Sequence, residues 1–526
     1  MTVIDADDEI AGKRNKFILA LDVGTTKVKC HLVNHDGLVV HSAEESVKLL
    51  YPQPGWVEID PKSIWNKVSN VMRAAVHGGG VRFEDIICIG MSCQRSSFIT
   101  WNKETGVPYH RFITWKDMRA DSINQSLNNS ILVKAVKLLA WLLFLVTRSP
   151  RLLLASSLKY ENVQVFGRLL WVLNNYQHVK DAARNGLVAF GTLDTWLLYK
   201  FGCEKHITDH SNVISTAMFC PHKLDWLYPI LWIAGVPSSI LPSVLDSAGK
   251  HFGSTHPDIF GLPVPIRASI ADQPASMFGS LCCKEGSVVL TLGTGAFFNV
   301  NVGKSPPTYL EGFYPIIAWK IGDEITYAYE GNAPDLGTVI EWALHSGLCE
   351  DVHELTQTAT SVPSSDGIFF IPTFHGSRMI SGRLPAAASF IGITRKTSKA
   401  HMMRALLESL AFSGACLYEN YAQNLKKPVG EIRVGGGVAN NDFILQKLAN
   451  LTGARVTRFE NVERSSLGAA YLAGLAEGFW KSRSEIAELA GKEIVFYPDN
   501  EEIDADWKTF QLWKEVVRGY SPTSFD

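Results

Sequence analysis

Apolar and polar residues along this chain follow two periods. Phe17–Val23 reads FILALDV, an almost unbroken apolar run, and Lys27–Val33 reads KVKCHLV, an alternating one, with glycine and threonines between them. Runs of this length around such a corner predict two strands folded as a hairpin, closed by a turn at Asn34–Gly37. The pattern returns at Ser287–Val302, SVVLTLGTGAFFNVNV, with Gly-Thr-Gly at the corner. Two such hairpins half a chain apart predict two halves built on one plan. Asp60–Val76 and Phe166–His178 carry apolar residues at helical spacing, and Ile86–Ser92 reads as a strand. Later, EIRVGGGVANNDF runs from a strand into glycines and a helix start, and SSLGAAYLAGLAEGFW is a small-residue helix suited to close packing. This alternation predicts an α/β protein. The expected division is a first domain over 15–281, a second over 282–480, and a peripheral helical tail over 481–526 with a solvated charged face.

Ile131–Val146, ILVKAVKLLAWLLFLV, is the most apolar stretch. Its uncharged run, Leu138–Thr147, is about half of the roughly 20 residues that cross a bilayer as a helix. It reads first as a buried or packed helix, with an interfacial membrane or partner helix as the alternative.

Composition narrows the partners. The chain has 526 residues, 50 Lys+Arg against 52 Asp+Glu and a formal charge of −2, which removes any overall basic footprint for nucleic acid. At roughly 150 residues per domain this length holds two to four cores. The nine cysteines are scattered, with no C-x-x-C, and are expected as reduced thiols. The N-terminal MTVIDADDEIAGKRNK lacks the layout of a signal peptide or presequence, so the expected location is cytoplasmic. His206 and His210 are spaced for a metal, but Asp209 and Asn212 beside them read as a polar loop.

The corners carry the chemistry. In Asp22-Val-Gly24-Thr25-Thr26, main-chain amides and the hydroxyls of Thr25 and Thr26 can cradle phosphate oxygens, Asp22 can hold hydrated Mg2+, and Lys29 can answer phosphate charge. Gly293-Thr294-Gly295 offers the same logic, with Thr294 at its centre, and Gly435-Gly436-Gly437 is a third cluster. Neither hairpin corner is a P-loop. Three clusters together imply a nucleotide held in a cleft between the halves.

These segments, with LYPQPGWVEIDPKSIW, IGMSCQRSSFITWNKETG, FGTLDTWLLYK, SIADQPASMFG and ASFIGITRKTSKAHMMRALLESLAF, resemble the FGGY carbohydrate kinases. The match lies within the sugar kinase, Hsp70 and actin superfamily. It is most similar to the glycerol kinases, in particular a divergent animal branch of them. The resemblance runs from about residue 16 to 480 in the family's order and implies two actin-like, ribonuclease H-like ATPase domains around the cleft. It implies transfer of the γ-phosphoryl group of ATP to glycerol, with Asp272 as general base and Gln273 beside it. Arg95, Trp115 and Phe297 would complete the polyol pocket, while Gly337, Gly437 and Asn441 would meet the nucleotide. A homodimer is a further expectation.

Several positions depart from the family pattern. Ser96 stands where glycerol kinases carry Glu, Val163 where they carry Tyr, Lys29 where they carry Arg, and Glu341 where they carry Gln. Arg168 replaces a Lys of the first signature, and Met379–Arg383 replaces an Ala-Pro-Tyr-Trp-Asp run. These departures fall mostly on substrate-reading residues, so the alternatives are a kinase for another small polyol or sugar, or a weakly catalytic nucleotide-binding regulatory protein.

Overall fold

The computed structural model describes residues 15–519 apart from 307, 309, 375–386 and 426–428, so Met379–Arg383 lie outside the described residues. The first sheet holds β1 (Phe17–Val23), β2 (Lys27–Val33), β3 (Val39–Ser46), β4 (Ile86–Cys93) and β5 (Ile266–Ala271), in the order β5-β4-β1-β2-β3. The hairpin of β1 and β2 is antiparallel and pairs Asp22 with Lys29, while β4 and β5 run parallel to β1. β3 extends the hairpin beyond the expected turn. Its side chains alternate between half-buried and exposed, as an edge strand's should, whereas β1 is buried almost throughout.

The second sheet orders seven strands as β8-β9-β7-β6-β10-β11-β12: β6 (Val288–Leu292), β7 (Ala296–Gly303), β8 (Tyr314–Ile321), β9 (Glu324–Ala333), β10 (Glu431–Gly435), β11 (Arg455–Phe459) and β12 (Glu493–Phe496). Its five central strands repeat the plan of the first sheet. A hairpin, β6 and β7, is flanked by an antiparallel strand on one side and two parallel strands on the other. One extra strand lies at each edge. The duplication expected from the two apolar patterns is therefore visible in strand order.

The helices that position the site are α1 (Pro61–Gly78), α2 (Ile131–Thr147), α3 (Val165–Asn175), α4 (Asp272–Gly279), α5 (Gly337–His345), α6 (Lys399–Leu425) and α7 (Arg464–Glu477). The helix expected over Phe166–His178 ends early, and a second helix begins at Gln177. α4 and α7 follow the last parallel strand of each sheet and cross one another. A Cβ on Gly468 would run into the Ala275 carbonyl at that crossing, so only glycine permits the approach. Although it belongs to the second half of the chain, α7 also packs on β1, β4 and β5 of the first sheet. One apolar cluster consequently draws on both halves, joining Ile18, Ala20 and Ile270 to Leu467, Ala470 and Leu472.

Two expectations are corrected. The tail after Lys481 is not peripheral: β12 closes one edge of the second sheet, and the helix Ile503–Gly519 buries Phe510, Trp513 and Val517 against Phe412 of α6. The Trp513 indole N–H donates to the Phe370 carbonyl (2.8 Å). Its apolar residues recur at helical spacing among charged ones, two of which are themselves buried in ion pairs, Asp506 with Lys447 and Lys514 with Glu419, so composition hid an apolar stripe. The second correction concerns α2, which forms as expected but is not buried. Of its residues only Ala140 is buried, because Val133, Lys137, Ala140 and Phe144 alone turn toward the protein.

Candidate active site

The first corner is built of side chains. Asp22, near the end of β1, accepts a hydrogen bond from the Ser92 hydroxyl (2.7 Å) of the neighbouring parallel strand. Burial pushes the Asp22 carboxyl up to about 7, with Ser92 and Lys29 opposing and the Glu463 and Asp272 charges assisting. Lys29, opposite Asp22 on β2, pairs with Glu463 (2.5 Å) at the start of α7. Burial pulls its ammonium down, but Glu463 outweighs this and holds it above the usual lysine value. The Thr25 hydroxyl donates to Gln94 Oε1 (2.9 Å) and accepts from the Trp115 indole N–H (2.8 Å). Its hydrogen is engaged by Gln94 within the protein. Thr26 is half-buried beside it, its carbonyl accepting from the Val47 amide.

A second centre lies at the head of α4. Asp272 is the first residue of that helix, and its Oδ1 accepts from the Gln273 amide (2.8 Å). Arg95 reaches it from the first half at 3.5 Å and pairs more closely with Glu330 of β9, at 2.5 Å. Burial raises the Asp272 carboxyl above its ordinary value, and Arg95 draws it part of the way back. Glu330 is likewise raised by burial and restrained by Arg95. Beside Asp272, Arg95 Nε, a buried donor, has no nearer partner than the 3.5 Å contact with Asp272 Oδ1, and Gln273 Oε1, a buried acceptor, has no hydrogen-bond partner. A hydroxyl group can satisfy both kinds at once.

Backbone builds the second corner. The Gly337 amide at the start of α5 donates to the Gly293 carbonyl (3.0 Å), and the Leu336 amide donates to the Thr294 carbonyl (3.1 Å). Gly436 has φ +90°, and a Cβ there would stand 2.6 Å from the Leu292 carbonyl. Two glycine segments distant in sequence thus converge on Gly293-Thr294, while Gly437 beside them faces open space. Phe297, two residues past the corner, meets Trp115 edge to face across the two halves, with ring centroids 6.4 Å apart.

Not every expected residue faces this region in the expected way. Ser96 adopts φ +60°, and its hydroxyl donates to the Ser215 carbonyl (3.3 Å). Asn441 caps the following helix, accepting from the Ile444 amide and donating to the Thr356 hydroxyl, so both ends of its amide are used structurally. Arg168, which departs from the family's first signature, is fully buried and donates to the carbonyls of Ser96, Thr114 and Val163. It thereby fixes the backbone beside Arg95 and Trp115, and burial lowers its guanidinium to about 9. Among the histidines, His206 and His210 bond main-chain carbonyls of Phe190 and Leu245. Sequence reasoning missed Glu330, Glu463, Ser92 and Gln94. An acid amid the apolar residues of YAYEGNA was the one local signal for Glu330.

Family models for the N-terminal domain of the FGGY carbohydrate kinases match residues 17–153 and 156–279, and the C-terminal domain model matches 288–477. The chain belongs to the FGGY family of carbohydrate kinases. Within this FGGY family its relatives include Glycerol kinase 5 of Danio rerio, 42% identical over 487 residues and covering 92% of each chain. Glycerol kinase 5 of Homo sapiens is 42% identical over 503 residues, 95% of each chain. Glycerol kinase 2 of Thermotoga maritima is 35% identical across 95% of this chain and 98% of its own. The fold is that of the Plasmodium falciparum glycerol kinase solved with ADP, at TM-score 0.81 and 24% identity, covering 97% of this chain and 99% of that one. A xylulose kinase from Lactobacillus acidophilus shares it at TM-score 0.78 and 22% identity, over 96% and 98%. The chain thus has the mixed α/β, two-domain architecture of FGGY kinases.

Proposed function

We propose that this FGGY kinase transfers the γ-phosphoryl group of ATP to glycerol, giving glycerol 3-phosphate and ADP. One observation carries the reading. Asp272 Oδ1 stands 3.5 Å from Arg95 Nε, a buried donor with no nearer partner, and beside Gln273 Oε1, a buried acceptor that has none. A polyol hydroxyl supplies the complement of both and would lie against the carboxylate. The hydroxyl oxygen attacks the γ-phosphorus, its proton passes to Asp272, and the bond to the bridging oxygen of ADP breaks. Glu330 keeps Arg95 charged and drawn away from Asp272, which leaves that carboxylate basic enough to accept a proton. Trp115 and Phe297 offer aromatic edges to the carbon side of the polyol.

The nucleotide reading rests on the backbone of the second corner. Gly293, Thr294, Gly337 and Gly437 hold phosphates and adenosine there, Lys29 and Thr26 serve from the first corner, and Thr25 contributes its main chain. The residues present fit Mg2+. Asp22, Asp272, Glu330 and Glu463 outnumber Lys29 and Arg95, and Asp22 is a buried carboxylate pushed up to about 7 that a cation would return to its ionised form. Asp22, fixed by Ser92, would hold the hydrated ion, which when bound neutralises phosphate charge. We divide the domains at 281/282. All nine thiols are free, in keeping with a cytoplasmic enzyme.

An ATP-consumption screen over glycerol, dihydroxyacetone, erythritol, pentitols and common ketoses tests this. Glycerol is expected to turn over, and Asp272→Asn to lower the rate by about 10²–10⁴-fold. Turnover of another polyol with none of glycerol would transfer the reading to that substrate. ATP binding without turnover of any substrate would make the chain a nucleotide-binding regulator.

A further inference from the structure

The exposed helix α2 asks for a partner of its own. Val133, Lys137, Ala140 and Phe144 form its inward stripe; the remaining surface is apolar and open, with Ile131 86%, Leu138 58%, Leu139 57% and Val146 84% exposed. At 3.6 residues per turn, ten residues (Ile131, Leu132, Ala135, Val136, Leu138, Leu139, Leu142, Leu143, Leu145 and Val146) fall on an outward arc of about 180° with no charged residue in it. Lys134 and Trp141 lie at its border. Soluble surfaces rarely carry a continuous apolar face of this extent without a partner.

Charge identifies the partner. Residues 122–160 contain no Asp or Glu, in a chain whose overall charge is −2. Lys134, Arg148 and Arg151 accompany α2 and the short helix Pro150–Ser156 packed against it, and none of the three has an ion pair among the described residues. Apolar arc, bordering lysine and tryptophan, and an exclusively basic flank are the features of a helix lying in the headgroup layer of an anionic membrane. No single helix among the described residues is long and apolar enough to cross a membrane, and α2 meets the preceding helix Asp121–Asn129 at a 54° bend. We propose that α2 is a peripheral anchor that seats this kinase on an anionic lipid surface.

The architecture suits a docking element. At its neck, Asn128 and Tyr160 exchange two hydrogen bonds, Asn128 Nδ2 to the Tyr160 carbonyl (2.8 Å) and the Tyr160 amide to Asn128 Oδ1 (2.9 Å). Asn162 ties the same neck to Asp121 and Asn124 (2.7 Å each). The excursion is thus closed off from the α/β body, and its outward leucines can change without disturbing the core.

Co-sedimentation of the full chain with phosphatidylcholine vesicles, with and without phosphatidylserine, tests the proposal. The native chain should bind the phosphatidylserine vesicles, weaken with added salt, and come off in a carbonate wash. The triple variant Leu138→Glu, Leu139→Glu, Leu142→Glu should bind roughly tenfold more weakly with glycerol-kinase activity unchanged. Lys134→Glu, Arg148→Glu, Arg151→Glu, which keeps the apolar arc, should lose the preference for phosphatidylserine. Equal sedimentation of native and leucine-variant chains would overturn the proposal. So would a native dimer that the leucine variant dissociates, with no vesicle binding, since the face would then belong to a second copy; resistance to carbonate would replace a peripheral seat with an inserted one.

Discussion

The two hairpin corners share a topology and divide the chemistry differently. At the first, between β1 and β2, side chains supply the polar groups: Asp22 and Lys29 carry charge, and the Thr25 hydroxyl is tied to Trp115 and Gln94. At the second, between β6 and β7, nothing is charged. Gly293 and Thr294 are braced by main-chain contacts from Leu336, Gly337 and Gly436. A duplicated unit has become a charged jaw facing a backbone jaw. The first can be tuned by substitution; the second tolerates little, since its function is its backbone path.

The largest test of this contrast is Glu330→Ala, which removes the ion pair that ties β9 to the first half. It leaves Arg95 buried with only a distant partner, and should cost about 3–5 kcal/mol of stability, read by denaturant unfolding. With Arg95 released toward Asp272, the acid limb of the activity profile should also move to lower pH. At the backbone jaw, Gly436→Ala should lose about 1–3 kcal/mol and weaken ATP binding in calorimetry. Gly437→Ala, in open space, should leave Tm unchanged. Equal behaviour of the two glycine variants would refute the claim that the second jaw depends on its backbone path at Gly436.

At the charged jaw, Asp22→Asn makes a signed prediction. The Asp22 carboxyl titrates near 7 in the folded chain and near its ordinary value when unfolded. Between those two pH values the folded chain holds a proton that the unfolded chain has released, so stability falls as pH rises. The asparagine variant lacks this slope. Its unfolding free energy should gain on that of the native protein from acid to neutral pH without nucleotide, by on the order of 1 kcal/mol per pH unit between those two values. The smallest effect belongs to Lys29→Arg, which offers Glu463 a planar fork and should change KM for ATP by roughly two- to threefold.

The same contrast explains what the sequence could disclose. Both corners were legible because their strands, glycines and threonines are contiguous. Asp272 and Gln273 emerged through family resemblance, since an aspartate after an apolar run is equally a helix start. Glu330 and Glu463 stayed hidden because their partners lie 235 and 434 residues away, and no local pattern encodes such pairings. Ser96, Asn441 and the Thr25 hydroxyl show the converse: the right residue types at the right places, with their hydrogen-bonding capacity directed inward. For α2, composition announced a helix but not what surrounds it. Burial is a property of the neighbours.

The placement of α7 has a consequence for how the chain is made. Ile18, Ala20, Cys88 and Ile270 of the first sheet are covered by Leu467, Ala470 and Leu472. On the ribosome, the first half emerges complete while the helix that seals this face is still untranslated. That apolar face must therefore stay exposed, or be shielded by a chaperone, through synthesis of nearly 200 further residues, from 280 to 472. Sealing of the first half therefore waits on translation of α7 in the second.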